Sequence, residues 1–122
     1  MSKSSSSQER RRDPRLTGSI PVKISSDDID IVTETKNLSR SGAYCRISKY
    51  IEPMTKLKIH LLLPMKRQDK VVTKKISCQG VIVRTESIPT EEGFNIAIYF
   101  QDIRSRDAEN ITDFINASLQ KK

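Results

Sequence analysis

The fold is read most directly from the stretch Asn37-Leu38-Ser39-Arg40-Ser41-Gly42-Ala43-Tyr44-Cys45-Arg46-Ile47. In its second half, apolar residues at 43, 45 and 47 alternate with Tyr44 and Arg46. A period of two puts successive side chains on opposite faces of an extended chain, so this half predicts a β-strand with one buried face. The short polar residues before it, which end in Gly42, are typical of a turn. The stretch therefore predicts the end of one strand, a turn and the start of another.

The same alternation extends in both directions from this stretch. Apolar residues alternate over 20–24 and 29–33 before it, and over 57–63 and 94–100 after it. Residues 71–86 are also strand-like, but their apolar phase changes around Gly80, which predicts a bulge or bend. The sequence thus predicts six strands, separated by turn signals at Ser26–Asp28, Glu52–Pro53, Lys66–Lys70 and Pro89–Gly93.

After Phe100 the apolar period changes from two to that of a helix. Six short alternating strands favour a small antiparallel barrel, and an amphipathic helix must bury its apolar stripe against it. The predicted fold is therefore all-β: a six-stranded antiparallel β-barrel with a C-terminal α-helix and a flexible basic N-terminal arm. The helix is predicted to have its N-cap at Ser105 and its apolar stripe at Ala108, Ile111, Phe114, Ile115 and Leu119.

Composition predicts the arm and limits the partners. Residues 1–15 contain no large apolar side chain after Met1 and are rich in Ser, Arg and Lys, which favours disorder. The formal net charge of +7 favours nucleic acid, an anionic membrane or a phosphorylated small molecule, although a solvated basic surface explains it as well. No apolar leader is present, and the apolar run 59–65 is too short to span a bilayer. We therefore expect a cytoplasmic protein without a membrane span.

Signals for catalysis are sparse. Cys45 and Cys78 lie in alternating segments, which predicts buried small hydrophobic residues rather than a disulfide or a metal pair. His60 falls on the face opposite the apolar residues of its own segment, and Ser39 has no histidine near it in sequence. The sequence shows no metal-ligand spacing, phosphate-binding loop or dinucleotide fingerprint. We therefore expect a protein that is not an enzyme and has no catalytic residues, metal or cofactor.

An arginine cluster precedes the first predicted strand and reads Glu9-Arg10-Arg11-Arg12-Asp13-Pro14-Arg15. Guanidinium groups donate paired hydrogen bonds to phosphate or to the O6 and N7 atoms of guanine, and they stack on flat rings. Taken alone, the cluster also fits a solubilising or nonspecific nucleic-acid-binding tail. Asn37 and Ser39 likewise fit either a turn or a contact with a ligand. Neither motif decides the function by itself.

Together, the two motifs make the sequence resemble the PilZ domain family. Arg11 to Arg15 fit that family's RxxxR motif, which lies just ahead of its first barrel strand. Asn37 to Gly42 fit its D/N-x-S-x-x-G motif, which lies at a junction of two strands. The resemblance covers the chain from Arg10 to the C-terminal helix. It implies a disordered tail over residues 1–9 and a PilZ-like domain over residues 10–122.

The resemblance also implies a ligand, the bacterial second messenger cyclic di-GMP. By resemblance, Arg11 and Arg15 grip its phosphates and guanines. Asn37 and Ser39 contact guanine and phosphate, and Gly42 keeps the turn open. An arginine directly before the RxxxR motif is associated in the family with a stacked pair of ligands, and a basic residue on a neighbouring strand is a further contact. The implied ligand-binding residues are Arg10, Arg11, Arg15, Asn37, Ser39, Gly42 and Arg84.

The sequence departs from the family pattern at two positions. Asn37 stands where many members have Asp, and an amide offers one acceptor oxygen and no charge to guanine N–H groups. Ala43 stands where many members have a second glycine, so the turn is expected to be stiffer.

Two other functions fit parts of the sequence. A small barrel with a second basic region over 66–75 could bind nucleic acid, but such binders offer exposed aromatic platforms. Here the phenylalanines fall on predicted core faces, and Tyr44, Tyr50 and Tyr99 are scattered along the chain. A PilZ-like adaptor that binds only protein would lack arginine or glycine positions that this sequence keeps.

The sequence therefore predicts a cyclic di-GMP receptor whose arm changes conformation when the ligand binds. The receptor is expected to signal to a downstream protein partner, in the control of motility, exopolysaccharide or virulence. No specific nucleic acid is expected among its partners.

Overall fold

The computed structural model describes residues 19–120, apart from the side chains of residues 66, 67 and 120. The predicted disordered tail and the three predicted arginines of the arm, Arg10, Arg11 and Arg15, lie outside this range. Within it the chain forms six strands followed by a helix. These elements are β1 (Pro21–Ser25), β2 (Asp30–Ser39), β3 (Gly42–Ile47), β4 (Lys56–Arg67), β5 (Lys70–Ser87), β6 (Phe94–Asp102) and α1 (Ser105–Gln120).

The strands close into a barrel in the order β1-β2-β3-β6-β5-β4, and every neighbouring pair is antiparallel. The closing pair joins β1 to β4, with Ile24 opposite Ile59. Consecutive strands pair as hairpins from β1 to β3 and from β4 to β6. The β3–β6 and β1–β4 pairs are the non-local contacts that join these two groups into a ring. The six-stranded antiparallel β-barrel predicted from the alternation is confirmed.

Apolar side chains from every strand meet inside the barrel. Their alternation follows the sequence pattern, because Leu57, Ile59, Leu61 and Leu63 of β4 are all buried while the residues between them are more exposed. Burying a side chain of this size contributes about 1.5–3 kcal/mol relative to leaving it in water. The barrel interior is therefore a continuous apolar core.

Helix α1 packs against β2 and β4 and adds to the same core. Ile111, Phe114 and Ile115 are buried, whereas Leu119 is 47% exposed near the end of the helix. The first intrahelical bond runs from Ala108 N–H to the carbonyl of Arg104, at 3.0 Å. The capping position is therefore Arg104, one residue before the predicted Ser105. No helix in the part of the chain from 19 to 120 is long and apolar enough to cross a membrane.

The pairing of β5 with β6 has two irregularities where one was predicted. It shifts beside Gly80, at the predicted position, where the extra residue is Gln101 of β6, and again at Val83, which is an extra residue of β5. At the second shift Ile82 is buried while Val83 and Arg84 both face outward. Val81 is also buried, but it lies opposite Lys56 and the exposed Tyr99 and is therefore on the outer face with Val83. The bulge at Val83 re-aims the end of β5.

The hairpin formed by β4 and β5 is longer than predicted. Its pairing continues to Arg67 opposite Lys70, with a turn at Gln68 and Asp69 in which Gln68 has a φ of 56°. The pairing of β4 with β1 ends at Leu61, so Pro64 lies where its missing N–H removes no bond to β1. Beyond this point the hairpin has a sheet neighbour on one side only within the described residues.

Candidate ligand-binding site

A concavity of about 260 Å³ opens where β2 ends and β3 begins. Its lining includes the three motif residues predicted to bind the ligand, namely Asn37, Ser39 and Gly42, and Arg84 from β5. The pairing of β3 with β6, and of β6 with β5, brings Arg84 to this junction. Four of the predicted ligand-binding residues therefore share one cavity. We call it the junction cavity.

Gly42 has a structural reason to be glycine. A Cβ atom built at this position would collide with the carbonyl oxygen of Ile98 on β6, and it would lie 3.5 Å from the Cα of Tyr99. Gly42 does not have a positive φ, in contrast to Gly93 with a φ of 120°. The glycine is therefore required because two backbones approach closely, and not because of a left-handed conformation.

Ser39 is buried and its hydroxyl takes part in the turn that follows β2. The Ser41 N–H donates to Ser39 Oγ at 3.3 Å, and Ser39 Oγ donates to the carbonyl of Gly42 at 3.4 Å. The two hydroxyls of Ser39 and Ser41 lie 3.3 Å apart. These distances are long for hydroxyl hydrogen bonds, so each bond is weak. Ser39 therefore helps to form this turn. Because Ser39 also lines the junction cavity, its hydroxyl is within reach of a ligand.

Asn37 is placed on the cavity wall by a bulge. The pairing of β2 with β3 shifts between Thr35 and Asn37, so Lys36 and Asn37 both face away from the core while Leu38 is fully buried. A regular strand would alternate strictly and could not expose both. The half-buried Asn37 amide forms no hydrogen bond with another residue in the range 19–120. Among the described residues, its oxygen and its two N–H groups are therefore unpaired at the cavity wall.

Arg84 lies at the cavity rim, directly after the Val83 bulge of β5, and forms an ion pair with Glu86. Arg84 Nε lies 3.4 Å from Glu86 Oε2, with the two side chains 61% and 53% exposed. Tyr44 Oη donates to Glu86 Oε1 at 3.4 Å. An ion pair this exposed is worth about 0–1 kcal/mol. The guanidinium is therefore held loosely and can turn to a stronger anion.

The remaining wall of the junction cavity is apolar and aromatic. Tyr99 on β6 is 51% exposed and Val83 on β5 is 53% exposed, and both line the cavity together with Tyr44. The expectation that the tyrosines are scattered is wrong for Tyr44 and Tyr99, because the β3–β6 pairing brings them to one face. Tyr50 packs edge-on against Phe94 instead, with ring centroids 5.5 Å apart.

Several lining residues were missed from the sequence, namely Ser41, Ala43, Tyr44, Val83, Ala97, Ile98 and Tyr99. Strand parity was available as a signal for Tyr44 and Tyr99, since each lies between two core residues of its strand. The alternation along a strand shows which face of the sheet a side chain occupies, but not which strand lies beside it. The β3–β6 register, which is non-local, was needed to bring them together.

A larger concavity of about 720 Å³ lies elsewhere, over β1, β2 and the end of β3. None of the predicted ligand-binding residues lines it. Its one arginine, Arg46, is already engaged, since it lies 2.8 Å from Glu91 Oε1 and donates to the carbonyl of Glu92 at 3.2 Å. Size alone would favour this concavity as a ligand site, but its arginine already has protein partners. The junction cavity is therefore the better candidate.

The titratable groups that often act in catalysis lie away from the junction cavity. Burial raises the pKa of Cys45 to about 12, and burial followed by Asp107 and Asp102 raises the pKa of Cys78 to about 11. Both cysteines are free. Burial, and then the charge of Lys75, lowers the pKa of His60. Among the side chains described between 19 and 120, no group of three or more His, Cys, Asp or Glu could hold a metal ion.

Comparisons with known proteins agree with the fold. The chain is similar to the solved structure of the Bacillus subtilis inhibitor of motility, MotI/DgrA, with a TM-score of 0.78 and 21% sequence identity. The match covers 93% of this chain and 53% of that one, so the chain spans about half the length of this relative. No curated protein matches it. The model of the PilZ domain matches residues 9–117, which is nearly the whole chain. The chain therefore belongs to the PilZ domain family.

Proposed function

We propose that this protein is a receptor for cyclic di-GMP and that the junction cavity is its ligand site. One observation carries the proposal: Asn37, Ser39 and Gly42 share a single cavity with Arg84, which is distant in sequence. Membership of the PilZ family supports the ligand, since the family is one of cyclic di-GMP receptors. The function proposed is binding and signalling, without a chemical reaction.

The lining of the junction cavity suits the parts of this ligand. Arg84 offers a planar guanidinium for a phosphate or for the O6 and N7 atoms of guanine. The Asn37 amide offers an acceptor to guanine N–H groups, and the exposed ring of Tyr99 offers a stacking surface. Ligand pockets for drug-sized molecules usually enclose about 300–1,000 Å³. A cavity of about 260 Å³ is therefore expected to seat part of the ligand, with further contacts coming from outside it.

The arm is proposed to supply those further contacts. Arg11 and Arg15 are assigned to phosphate and guanine by the family resemblance, and Arg10 to the binding of a second, stacked ligand molecule. All three precede Ser19, the first described residue, by a short length of chain. Ordering such an arm costs on the order of 1–2 kcal/mol per residue, so the arginine contacts must outweigh that cost. We propose that this ordering is the signal read by a downstream protein.

Motility is the process proposed first for that signal. The similar structure is named an inhibitor of motility, and its chain is nearly twice as long as the matched part. Because the match covers only 53% of that chain, its role in motility is carried over to this chain as a proposal. Control of exopolysaccharide or virulence remains within the same proposed function.

Calorimetric titration with cyclic di-GMP tests the proposal. Wild-type protein is expected to bind with a measurable heat, and Arg11→Ala, Arg15→Ala and Arg84→Ala are each expected to weaken binding at least tenfold, because each removes a charge-assisted contact. The matched control is Arg106→Ala, since Arg106 is an exposed helix residue without an ion pair among the described residues. It is expected to bind as the wild type does.

Two further measurements separate this function from its alternatives. Glu86→Gln is expected to tighten ligand binding a few-fold, because the carboxylate that competes for Arg84 is removed from the rim. A labelled oligonucleotide, titrated at two salt concentrations, measures nonspecific binding, which weakens steeply with salt. If wild-type protein binds the oligonucleotide but not cyclic di-GMP, the receptor assignment is wrong. If it binds neither, a protein-only adaptor replaces it.

A further inference from the structure

A second concavity, of about 330 Å³, lies on the outer face of the barrel across β2, β1, β4 and β5. The strand pairing fixes its layout, because Lys23 lies opposite Val32 on one side and His60 on the other. Leu62 lies opposite Lys75 in the next row. The concavity shares no lining residue with the junction cavity. We call the surface formed by Lys23, Val32, Lys58, His60, Leu62 and Lys75 the lysine face.

The floor of the lysine face is aliphatic. Val32 is 76% exposed and Leu62 is 40% exposed, and Pro21 and Val22 complete the apolar lining. Val71, which is 66% exposed, extends the apolar surface along β5 on the side that carries Lys75. Exposed aliphatic residues gathered around a hollow mark a surface that another molecule covers.

The rim of the lysine face is cationic and mostly unpaired. Within the described residues, Lys58 and Lys75 form no ion pair. Lys23 Nζ lies 3.8 Å from Asp30 Oδ1, with both side chains largely exposed, which is a weak contact. Burial, and then the charges of Lys75, Lys23 and Lys58, lower the pKa of His60, which lies among these lysines. The acidic groups next to the face include Asp30 and Glu34 on β2, and Asp27 and Asp28, which line a neighbouring concavity with Lys58.

We propose that the lysine face binds a short acidic segment of a partner protein. One aliphatic or aromatic side chain of that segment enters the concavity, and its carboxylates lie against Lys23, Lys58 and Lys75. Charge complementarity selects an acidic partner, and the aliphatic hollow selects an anchoring side chain. The ligand site shares no lining residue with this face, so the protein can hold its ligand and its partner at the same time.

The shape and lining of the hollow favour a protein over the other anionic partners. A sequence-tolerant nucleic-acid site needs aromatic platforms, and no Phe, Tyr or Trp is among the residues that line this concavity. A bilayer surface is flat on this scale and leaves the hollow unfilled. A peptide side chain fills it, as anchor residues do in protein interfaces.

The probe for the test is a fluorescein-labelled peptide of twelve residues or so, made of Glu and Asp with one central Leu, and titrated by anisotropy. Full-length wild-type protein is expected to bind it saturably at low salt. The double variant Lys58→Glu/Lys75→Glu is expected to bind at least tenfold more weakly, because repulsion replaces attraction. The matched control is Lys36→Glu/Lys49→Glu, which makes the same change in net charge at two exposed lysines off this face. It is expected to bind within about threefold of the wild type.

The apolar part of the proposal has its own variants. Replacing the central Leu of the peptide by Ser, or Leu62 of the protein by Ser, is expected to weaken binding at least threefold. Thermal unfolding confirms that each variant is folded. Equal losses of peptide affinity in the two double variants would show that the peptide is attracted by the net charge of the protein and not by this face. That result would overturn the proposal. So would unchanged binding of the Ser peptide, or a preference of this face for anionic vesicles or an oligonucleotide over the peptide.

Discussion

At position 42 the backbone itself decides the residue. The carbonyl oxygen of Ile98 occupies the space that a Cβ would need, and a backbone atom cannot move aside as a side-chain tip can. The glycine of the motif therefore serves the packing of β3 on β6 whether or not a ligand is present. The serine of the motif is similar, because Ser39 bonds its own turn. In this protein, Gly42 and Ser39 of the family motif therefore also stabilise the fold.

Gly42→Ala is expected to lower the free energy of unfolding by about 1–3 kcal/mol, the usual range for overpacking. Gly80→Ala is expected to cost less, because its Cβ would meet the side-chain atoms Ile98 Cγ2 and Ile59 Cγ1 at 2.8 and 2.9 Å rather than backbone. Urea unfolding measures both. The control is the exposed Ser48→Ala, expected within about 0.5 kcal/mol of the wild type. Equal stability of Gly42→Ala and wild type would contradict this account of the glycine.

The buried thiol of Cys45 makes stability depend on pH in the alkaline range. Burial raises its pKa from 9.0 to about 12, so between these values the folded state keeps a proton that the unfolded chain loses. Stability from this group is thus complete below pH 9 and falls as pH rises, by up to about 1.4 kcal/mol per pH unit.

Comparison of wild type with Cys45→Ala isolates this effect from other alkaline titrations. We expect the stability advantage of the wild type to shrink between pH 8 and pH 10.5, measured by urea unfolding at each pH. Cys78, half-buried and with its pKa raised to about 11, is the internal comparison and is expected to show a smaller change. A difference in unfolding free energy that does not vary with pH would show that the pKa of the Cys45 thiol is not raised in the folded state.

Among the elements, β4 and β5 depart most from what the sequence predicted. Alternation identified both strands, and the phase change identified the register shift beside Gly80. The bulge at Val83 was missed because it shows only in the non-local register with β6, where Ile82 and Arg84 lie opposite consecutive residues. The extension of the hairpin beyond Leu63 was missed because Pro64 and the charged residues after it resemble a loop.

Amide hydrogen exchange tests the extension of the hairpin. Residues 58–61 of β4 pair with β1 and with β5, whereas residues 62–67 pair with β5 alone among the described strands. We therefore expect amides of the outer part of the hairpin, over residues 65–72, to exchange at least tenfold faster than those of residues 58–61, because outer segments open without global unfolding. The well-paired β3 provides the slow reference. Uniform protection along the whole hairpin would contradict this picture.

For the whole molecule, the sequence predicted the class of fold and part of the site for different reasons. Alternation such as that of Ala43 and Cys45 is local, so six strands and a helix were predictable. Strand neighbours are set by non-local packing, so the meeting of Tyr99 with Asn37 was not. The family motifs supplied the residues at the junction cavity, and the fold added its aromatic wall. The lysine face had no sequence signature, because its residues come from four strands.

Two surfaces result from this architecture: a junction cavity with an arginine and tyrosines, and a separate aliphatic hollow with lysines. The account assigns the ligand to the first and a partner protein to the second. This division of the barrel surface is its central claim, because a signalling receptor must keep its partner surface available while the ligand is bound.

The most direct test is a comparison of two-dimensional ¹H–¹⁵N NMR spectra of the protein without and with cyclic di-GMP. The account predicts large shifts for the Asn37 side-chain amide and for the backbone amides of Gly42, Arg84 and Tyr99. Resonances of Lys23, His60 and Lys75 are predicted to stay in place. Spectra that do not change, or shifts that centre on the lysine face while the junction cavity stays unaffected, would contradict it.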